Sequence, residues 1–534
     1  MTREKFAERT PILRPATTYM GLPDREQGIL TDLLTCKAHV INPTALAVLK
    51  LMDGHLSVAE IAKKLSISHE IAFEQALDDV IDYIGTLDEM GLIVDAPLSS
   101  LLEQYWSPVW DDNREKYGFN YVPGLVYWEF TNDCNLRCHM CYNTSGIQRP
   151  RELVIEDKLN LLVFLIEVGV NTIIVTGGEP CMNREELIQF LTRCKELGIS
   201  TQLFTNGTLI DAELADQLVQ CGISHVRLSI HGALPSTHDA IAGVEGAYQR
   251  ALAAGRHLTE KGVRVTWQIT ASNSNFSELR MALETALANK FFGFRAGSLD
   301  LMGRGRDKAH LQLRPQDEVR LWRFIDEATL VYGNRIRIGW GADYCMEEPW
   351  TCYVESPLPL DLIDHRDPNV YLRFCKNSLC GTAIRSIGIR ADGTLVPCPA
   401  MAEIELGPAA DIRRIWRESP ILQRLRALDM DGFRHCAICG SRYACGGGCR
   451  ANAFHTDGDV TGPDPRRCRG QAQLLSTPLS GFFGTSEIEA ALTQKQMNKL
   501  EANIRYLNDV RTEGIGPWIP YWSVIAKRAE LGGK

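Results

Sequence analysis

A regular alternation of apolar strand-like runs with amphipathic helix patterns, from about residue 124 to residue 297, constrains the fold of this chain most strongly. Repeated strand–helix units predict a parallel sheet, and six in a row predict a partly closed barrel. The chemistry of such a barrel belongs at the carboxyl ends of its strands. The six predicted strands are VYWEFT, NTIIVT, STQLFT, HVRLSI, VRVTWQI and FGFRAG.

Three cysteines follow the first of these strands, in the segment CNLRCHMC. A tetrahedral zinc site or a closed iron–sulfur cluster needs four protein ligands, so Cys134, Cys138 and Cys141 are one ligand short. Three thiolates can instead hold three irons of a 4Fe–4S cluster and leave the fourth iron open to a small bidentate ligand. The alternative is a zinc site in which these cysteines supply three of the four ligands. The second predicted strand ends in GGEP.

The spacing C-x-x-x-C-x-x-C after strand one, with GGEP after strand two, resembles the radical S-adenosylmethionine (SAM) superfamily. The resemblance implies that the three thiolates hold a 4Fe–4S cluster whose fourth iron is chelated by SAM. One-electron reduction then splits SAM into methionine and a 5'-deoxyadenosyl radical, which removes hydrogen from a C–H bond. It also implies that Met140 lies beside the adenine and Ser229 near the ribose. The four residues of GGEP, Gly177, Gly178, Glu179 and Pro180, are implied to bind the cofactor as well.

The sequence departs from the family pattern at two positions. Cys181 follows GGEP where relatives usually carry an apolar residue, and we interpret it as a small buried filler, as we do Cys36, Cys194 and Cys221. His231, in SIHG, stands where relatives often have aspartate. In the GRGR segment after strand six, Arg304 or Arg306 could face the SAM carboxylate or solvent.

A second set of cysteines lies in CGTAIRSIGIRADGTLVPC, in HCAICGSRYACGGGC and at Cys468. Two structural zinc sites would fit its C-x-x-C spacing. The order of cysteines around the Asp-Gly turn resembles the seven-cysteine SPASM domain, which holds two auxiliary 4Fe–4S clusters. The resemblance implies that the first auxiliary cluster is bound by Cys380, Cys398 and Cys449, and the second by Cys436, Cys439, Cys445 and Cys468.

The first auxiliary cluster needs one more ligand. Cys375 is nearest to the family position, and Cys345 and Cys352 are the alternatives.

The N-terminal region is predicted to form short strands, TTYMGLPD, GILTDLL and AHVIN, and then three helices that begin at Asn42-Pro43, at Ser57 and at about Ser68. A winged-helix-like unit of this kind can bind DNA. Residues 1–95 carry nine Lys or Arg against fifteen Asp or Glu, a net charge of −6, which argues against DNA. The region resembles the PqqD-like recognition element of ribosomally synthesised, post-translationally modified peptides (RiPPs), which binds a precursor's leader as an added strand. A structural cap or dimer module is the alternative.

We therefore predict an α/β chain: a partial (βα)6 radical SAM barrel with an N-terminal winged-helix-like recognition element and a C-terminal iron–sulfur SPASM domain. The net charge of −9 argues against a nucleic-acid partner. No apolar run approaches the about 18 residues that span a membrane, so we expect a cytoplasmic protein. We predict five units: the recognition element (1–97), the barrel (120–310), a linker with a candidate lid (311–374), the SPASM domain (375–470) and a helical tail (471–534).

The predicted function is the modification, by cross-linking, of a ribosomally synthesised precursor peptide bound through its leader. The expected cofactors are SAM and three 4Fe–4S clusters, and the expected electron donor is a flavodoxin or a ferredoxin. One alternative is a radical SAM/SPASM enzyme that acts on a folded protein, as sulfatase maturases do, or on a small molecule. Another is a non-catalytic iron–sulfur sensor that binds SAM. The sequence identifies no general base.

Overall fold

The computed structural model describes residues 2–13, 17–21, 28–32, 37–52, 56–95, 123–146, 151–332, 335–340, 380–384, 386–428, 447–466, 468 and 482–483. Strands in these ranges form a two-stranded sheet, a three-stranded sheet and a ten-stranded sheet. The N-terminal elements are helices α1 to α4, Arg3–Ala7, Pro43–Leu51, Val58–Ser68 and Phe73–Glu89, and strands β1 to β5, Pro11–Leu13, Thr17–Gly21, Gly28–Asp32, Lys37–Ile41 and Ile93–Asp95.

Two of the three long N-terminal helices begin at their predicted caps. The side chain of Asn42 accepts a hydrogen bond from the backbone N–H of Ala45 at 2.8 Å, and Ser57 forms a reciprocal capping box with Glu60. The predicted start of the third helix at about Ser68 is wrong. Helix α3 continues through Ser68 because its buried apolar stripe extends to Leu65, and α4 begins only at Phe73.

The core of the N-terminal unit contains the apolar stripe of α4. Leu77, Val80, Ile84 and Leu87 are buried there, whereas Phe73 keeps 39% of its surface exposed. The three-stranded sheet has the order β2-β3-β4, so β4 lies at an edge.

All six predicted barrel strands are present and parallel: β6 to β11, Leu125–Glu129, Thr172–Thr176, Ser200–Thr205, His225–Ser229, Arg264–Ala271 and Gly293–Ser298. Alternate strand residues such as Trp128, Leu228 and Trp267 are fully buried against the helices. The intervening residues face the inside of the barrel. The helices are α5 to α11, Ile155–Glu167, Arg184–Glu196, Ala212–Gln220, Pro235–Ala242, Ala247–Glu260, Leu279–Ala288 and Pro315–Tyr332.

The ten-stranded sheet extends beyond six strands at both edges. Strand β12, Arg337–Trp340, adds a seventh parallel strand beside β11, within the region predicted as a linker. Its four residues, RIGW, are too short to show the alternation by which strands are predicted. At the other edge, β13, Ser386–Ile389, pairs in parallel with β6.

Strand β13 is also the first strand of the C-terminal module, by which we mean the described residues from 380 to 468. The predicted Asp-Gly turn, with Gly393 at a φ of +80°, joins β13 to antiparallel β14, Thr394–Val396, which pairs with β15, Gly407–Pro408. The sheet is therefore mixed. The module's helices are α12 to α14, Ile412–Glu418, Pro420–Arg426 and Arg450–Asp457.

Within the described ranges, no helix combines the length and apolar character needed to cross a membrane.

Candidate active site and cysteine clusters

The loop that carries Cys134, Cys138 and Cys141 follows β6 at the carboxyl end of the barrel strands, as predicted. Its backbone is fixed to the end of α8, because Arg137 N–H donates to the Ala242 carbonyl at 2.9 Å and His139 N–H donates to that of Ile241. Arg304 holds the other side of the loop. Its backbone N–H donates to the Cys141 carbonyl at 2.8 Å, and its Nε donates to that of Cys138 at 2.9 Å.

The two candidate arginines of the GRGR segment therefore differ in role. Besides Cys138, the guanidinium of Arg304 contacts the carbonyl oxygen of Ser145, so this side chain braces the cysteine loop. Arg306 forms an ion pair with Glu403 of the C-terminal module at 2.6 Å, and both side chains are more than half exposed.

The electrostatics of the loop thiols fit a bound iron–sulfur cluster. Burial, together with the neighbouring Glu179 and Cys141, raises the pKa of Cys134 to about 11. Burial, Cys141 and Cys134 raise the pKa of Cys138 to about 12. Thiols buried in this way, such as Cys134 and Cys138, need strong positive charge nearby to ionise, and bound iron would supply that charge.

The glycines of GGEP are required by the chain's own backbone. Gly178 N–H donates to the Thr131 carbonyl and Glu179 N–H to that of Asp133, each at 2.7 Å. A Cβ on Gly177 would collide with the carbonyl oxygen of Thr131, and one on Gly178 with that of Asp133. GGEP therefore packs edge to edge with the start of the cysteine loop. Pro180 then opens the short 3-10 turn Pro180–Met182.

Glu179 is completely buried and accepts three hydrogen bonds from the chain itself. Its Oε1 accepts from the Thr205 hydroxyl at 2.7 Å and from Cys181 N–H at 3.0 Å. Its Oε2 accepts from Asn206 N–H at 2.7 Å. Burial raises the pKa of the carboxyl, and these hydrogen bonds oppose the rise. The side chain thus ties the end of β7 to the end of β8.

Asn206 is a candidate site residue that no sequence motif indicated. Its Nδ2 donates to Asn135 Oδ1 at 3.0 Å and lies 3.9 Å from the Sγ of Cys134. Its Oδ1 accepts from the Thr208 hydroxyl at 2.6 Å. The available signal was its position, because Asn206 is the first residue after a parallel strand, where barrel enzymes place polar site residues.

The two further residues expected to contact SAM lie near the same end of the barrel. Met140 is buried with Ile241 and Leu299. Ser229 is the last residue of β9 and neighbours Gln268 in the sheet register.

His231, one of the two departures from the family pattern, has a neutral imidazole ring. Its Nδ1 accepts a hydrogen bond from Thr270 N–H at 3.2 Å. Burial, and then the nearby His238 and His139, lower the pKa of His231 to about 3. Because Nδ1 is an acceptor, we assign the ring proton to Nε2, so this side chain can offer a hydrogen-bond donor at the strand end.

The structure brings three of the predicted auxiliary-cluster cysteines near one another. Burial and then Cys380 raise the pKa of Cys398 to about 12. The pKa of Cys449 is raised by burial, Asp300, Asp464 and Cys380. Cys468 is described and exposed. The remaining predicted or alternative ligands lie outside the described residues: Cys345, Cys352, Cys375, Cys436, Cys439 and Cys445.

Cys181, Cys194 and Cys221 are buried, as expected for filler residues, and Cys36 lies outside the described residues. In the part of the chain that the structure describes, no three Cys, His, Asp or Glu side chains converge on a position for a single metal ion.

Two family models match this chain. Residues 128–284 match the Radical SAM superfamily, and residues 27–93 match coenzyme PQQ synthesis protein D, PqqD. The matches confirm the predicted radical SAM core and the predicted recognition element.

Characterised relatives align over about two thirds of the chain. The pre-heme d1 synthase of Dinoroseobacter shibae is 27% identical over 350 residues, which are 64% of this chain and 85% of that protein. The PqqA peptide cyclase of Granulibacter bethesdensis is 28% identical over 345 residues, 63% of this chain and 85% of the relative.

Among solved structures, Streptococcus suis SuiB bound to its precursor peptide SuiA superposes with a TM-score of 0.57 at 15% identity, over 84% of this chain and 97% of SuiB. The two proteins share a fold.

Proposed function

We propose that this radical SAM enzyme forms a cross-link in a ribosomally synthesised precursor peptide, which it binds through the leader. The observation that carries the proposal is the presence of a radical SAM domain and a PqqD domain in one chain. Its similarity to PqqA peptide cyclases adds support, because their name describes bond formation within a peptide.

Cys134, Cys138 and Cys141 would hold the 4Fe–4S cluster that binds SAM. When bound and reduced, this cofactor pair supplies a 5'-deoxyadenosyl radical that removes a hydrogen atom from the substrate. The chain's own residues fix the geometry: Arg304 and the end of α8 hold the cysteine loop, and Asn206 contacts its first thiol. Met140 and Ser229 would contact the adenosyl group. Position and exclusion of water are the protein's main contributions.

The C-terminal module would hold two auxiliary 4Fe–4S clusters in a SPASM arrangement. Cys380, Cys398 and Cys449 would bind the first with Cys375, and Cys468 would join Cys436, Cys439 and Cys445 around the second. A substrate radical that closes a new bond must lose one electron and one proton. The auxiliary clusters would accept that electron.

The leader would add a strand to the N-terminal unit, and the edge position of β4 is compatible with this. Phe73, Leu77 and Val80 lie along one stripe of α4, and Leu77 and Val80 are buried in the unit's core. Phe73 is the exposed apolar residue of that set. Asp78 is paired with Arg3 at 2.6 Å, so the exposed acidic groups Asp79 and Asp82 would attract a basic leader.

We also propose that the protein works in the cytoplasm, where a flavodoxin or a ferredoxin would supply the electrons that reduce the SAM-binding cluster.

The test combines the anaerobically reconstituted full-length protein with a peptide encoded by a short reading frame beside its gene. We expect 5'-deoxyadenosine to form in step with a peptide product two hydrogen atoms lighter, measured by mass spectrometry. Formation of 5'-deoxyadenosine without any change in the peptide would contradict the proposed substrate. Absence of 5'-deoxyadenosine from reduced, iron-loaded protein would favour the sensor.

A second candidate, modification of a small molecule, is favoured by the similarity to pre-heme d1 synthase. The activity of such an enzyme on its substrate should not change when the N-terminal unit is removed. Removal of residues 1–97 therefore separates the two.

A further inference from the structure

A charged network, buried at Arg466 and Asp464 and partly exposed at Asp300, joins the barrel to Cys449. Arg466 lies between two carboxylates, with its Nη1 2.9 Å from Asp300 Oδ1 and its Nη2 4.0 Å from Asp464 Oδ2. The Asp464 side chain has no exposed surface, Arg466 has 7% and Asp300 has 23%. We call these three residues the Asp300–Arg466–Asp464 network.

On one side, the network contacts the backbone that carries the cysteines. Asp464 Oδ2 accepts a hydrogen bond from Cys449 N–H at 2.9 Å. The backbone carbonyl of Asp464 accepts from Cys468 N–H at 3.0 Å. A single residue is therefore attached to proposed ligands of both auxiliary clusters.

On the other side, the network contacts the carboxyl end of β11. Asp300 lies two residues beyond this strand, and Arg466 Nη1 also donates to the Ser298 carbonyl at 3.3 Å. Asn452 links the two carboxylates, because its Nδ2 donates to Asp300 Oδ1 at 2.7 Å and approaches Asp464 Oδ1 at 3.5 Å. The network thus spans the distance from the barrel end to Cys449.

Charges fixed this close to an iron–sulfur ligand alter the free energy of adding an electron to the cluster. The two carboxylates repel the added electron and make the reduction potential more negative. The Arg466 guanidinium attracts the electron and has the opposite effect. Burial strengthens both effects, because water screens the charges only weakly there.

We propose that Arg466 and Asp300 are positioning residues that set, with opposite sign, the reduction potential of the auxiliary cluster bound by Cys449. The inference rests on the proposed function, specifically on its assignment of the first auxiliary cluster. In the proposed reaction, this cluster would accept the one electron that the substrate radical loses, and the proton would pass to solvent as the new bond closes. The positive charge of Arg466 keeps the reduction potential high enough for this electron transfer. The negative charge of Asp300 lowers the potential and so limits its rise.

The experiment measures the potential of this cluster in the full-length reconstituted enzyme, by redox titration followed by electron paramagnetic resonance. We expect Arg466→Gln to shift the potential to a more negative value and Asp300→Asn to shift it to a more positive one. Arg466→Lys keeps the charge and should restore most of the wild-type value. Iron content and melting temperature are measured for each variant.

A matched control is Arg424→Gln. Arg424 pairs with Asp459 at 2.7 Å in the same module, but the two side chains are 54% and 43% exposed. Removing this charge should leave the potential unchanged, because exposed charges are screened by water and salt.

A second readout is the amount of 5'-deoxyadenosine formed per cross-linked peptide. This ratio should rise in Arg466→Gln, since hydrogen abstraction continues while electron removal becomes less favourable. Shifts in the same direction for Arg466→Gln and Asp300→Asn, or shifts no larger than that of Arg424→Gln, would overturn the inference. If Arg466→Gln does not fold, the sign of the Asp300→Asn shift decides. Wild-type protein without an auxiliary-cluster signal would instead refute the cluster assignment in the proposed function.

Discussion

The Nε of Arg304 donates a hydrogen bond to the carbonyl oxygen of Cys138 at 2.9 Å, across 166 positions of sequence. The backbone N–H of Arg304 also donates to Cys141. Gly303 permits this contact, because a Cβ there would collide with the carbonyl oxygens of Cys141 and Tyr142. A segment beyond the sixth barrel strand therefore holds two of the three cysteines in place.

Arg304→Gln should weaken the SAM-binding cluster without preventing folding. The variant loses charge-assisted hydrogen bonds to the cysteine loop, each worth about 1.5–3 kcal/mol. We expect faster iron loss to a chelator and slower SAM cleavage, both measured on reconstituted protein. Arg306→Gln is the matched control, because its exposed ion pair with Glu403 lies off the loop. Equal iron loss from the two variants would contradict the bracing role.

Replacing Cys134, Cys138 and Cys141 together with Ala should remove one cluster of three. Wild-type protein should bind about twelve irons per chain, and the triple variant about eight, since each 4Fe–4S cluster holds about four. SAM cleavage should be lost completely while the absorption of the auxiliary clusters persists. Stoichiometric zinc with little iron in the wild type would defeat the assignment of iron–sulfur clusters.

Glu179→Gln should destabilise the junction between β7 and β8. Each carboxylate oxygen accepts from a backbone N–H, so the amide nitrogen of glutamine would face either the Asn206 N–H or the Cys181 N–H. A buried donor left facing a donor costs about 1–3 kcal/mol. Denaturant unfolding should show this loss. An unchanged unfolding free energy would mean that the three hydrogen bonds are dispensable.

Stability should also depend on pH through Glu179. Burial raises the pKa of this carboxyl, so the folded protein binds its proton more tightly than the unfolded chain, where the value is near 4.5. The unfolding free energy should therefore fall as pH rises from 4.5 through the raised pKa of the folded state. The Glu179→Gln variant lacks this component, and the difference between the two pH profiles of melting temperature measures it.

The sequence predicted the barrel because its signal is periodic and local. Apolar runs in β6 to β11 alternate with amphipathic helices, and three clustered cysteines mark the strand end where the site lies. What the sequence could not predict depends on contacts between distant segments. Arg304 reaches the loop from the far edge of the barrel, and Asn206 matters because β8 neighbours β7. Strand β12 gains its identity only from pairing with β11.

The contact of Phe482 with helix α11 is another feature that the local sequence could not predict. Its backbone N–H donates to Glu327 Oε2 of helix α11 at 2.8 Å, and its ring packs at 5.0 Å from that of Phe324. A pair of phenylalanines in a weakly patterned region gave no indication of this docking.

Cys375→Ala should disturb only the first auxiliary cluster, because the proposed ligands of the other two clusters are different cysteines. Spectroscopy should then show one altered cluster while SAM cleavage continues. Cys449→Ala, which removes a proposed ligand of the first auxiliary cluster that lies near Cys380, provides the reference spectrum. An unchanged iron count and spectrum in Cys375→Ala would point to Cys345 or Cys352, or to an open iron.

Removing residues 1–97 should separate radical generation from peptide modification. The radical SAM match begins at residue 128, and the contacts that hold the cysteine loop come from residues beyond the deletion. The truncated enzyme should therefore still cleave SAM when reduced. It should modify a full-length precursor about a hundredfold more slowly at low peptide concentration, since leader binding raises the local concentration of the target residue. A precursor without its leader is the matched control, and it should be modified at the same slow rate by both enzymes. Full-rate modification by the truncated enzyme would reduce the N-terminal unit to a structural cap, and modification of a small molecule would become the better explanation.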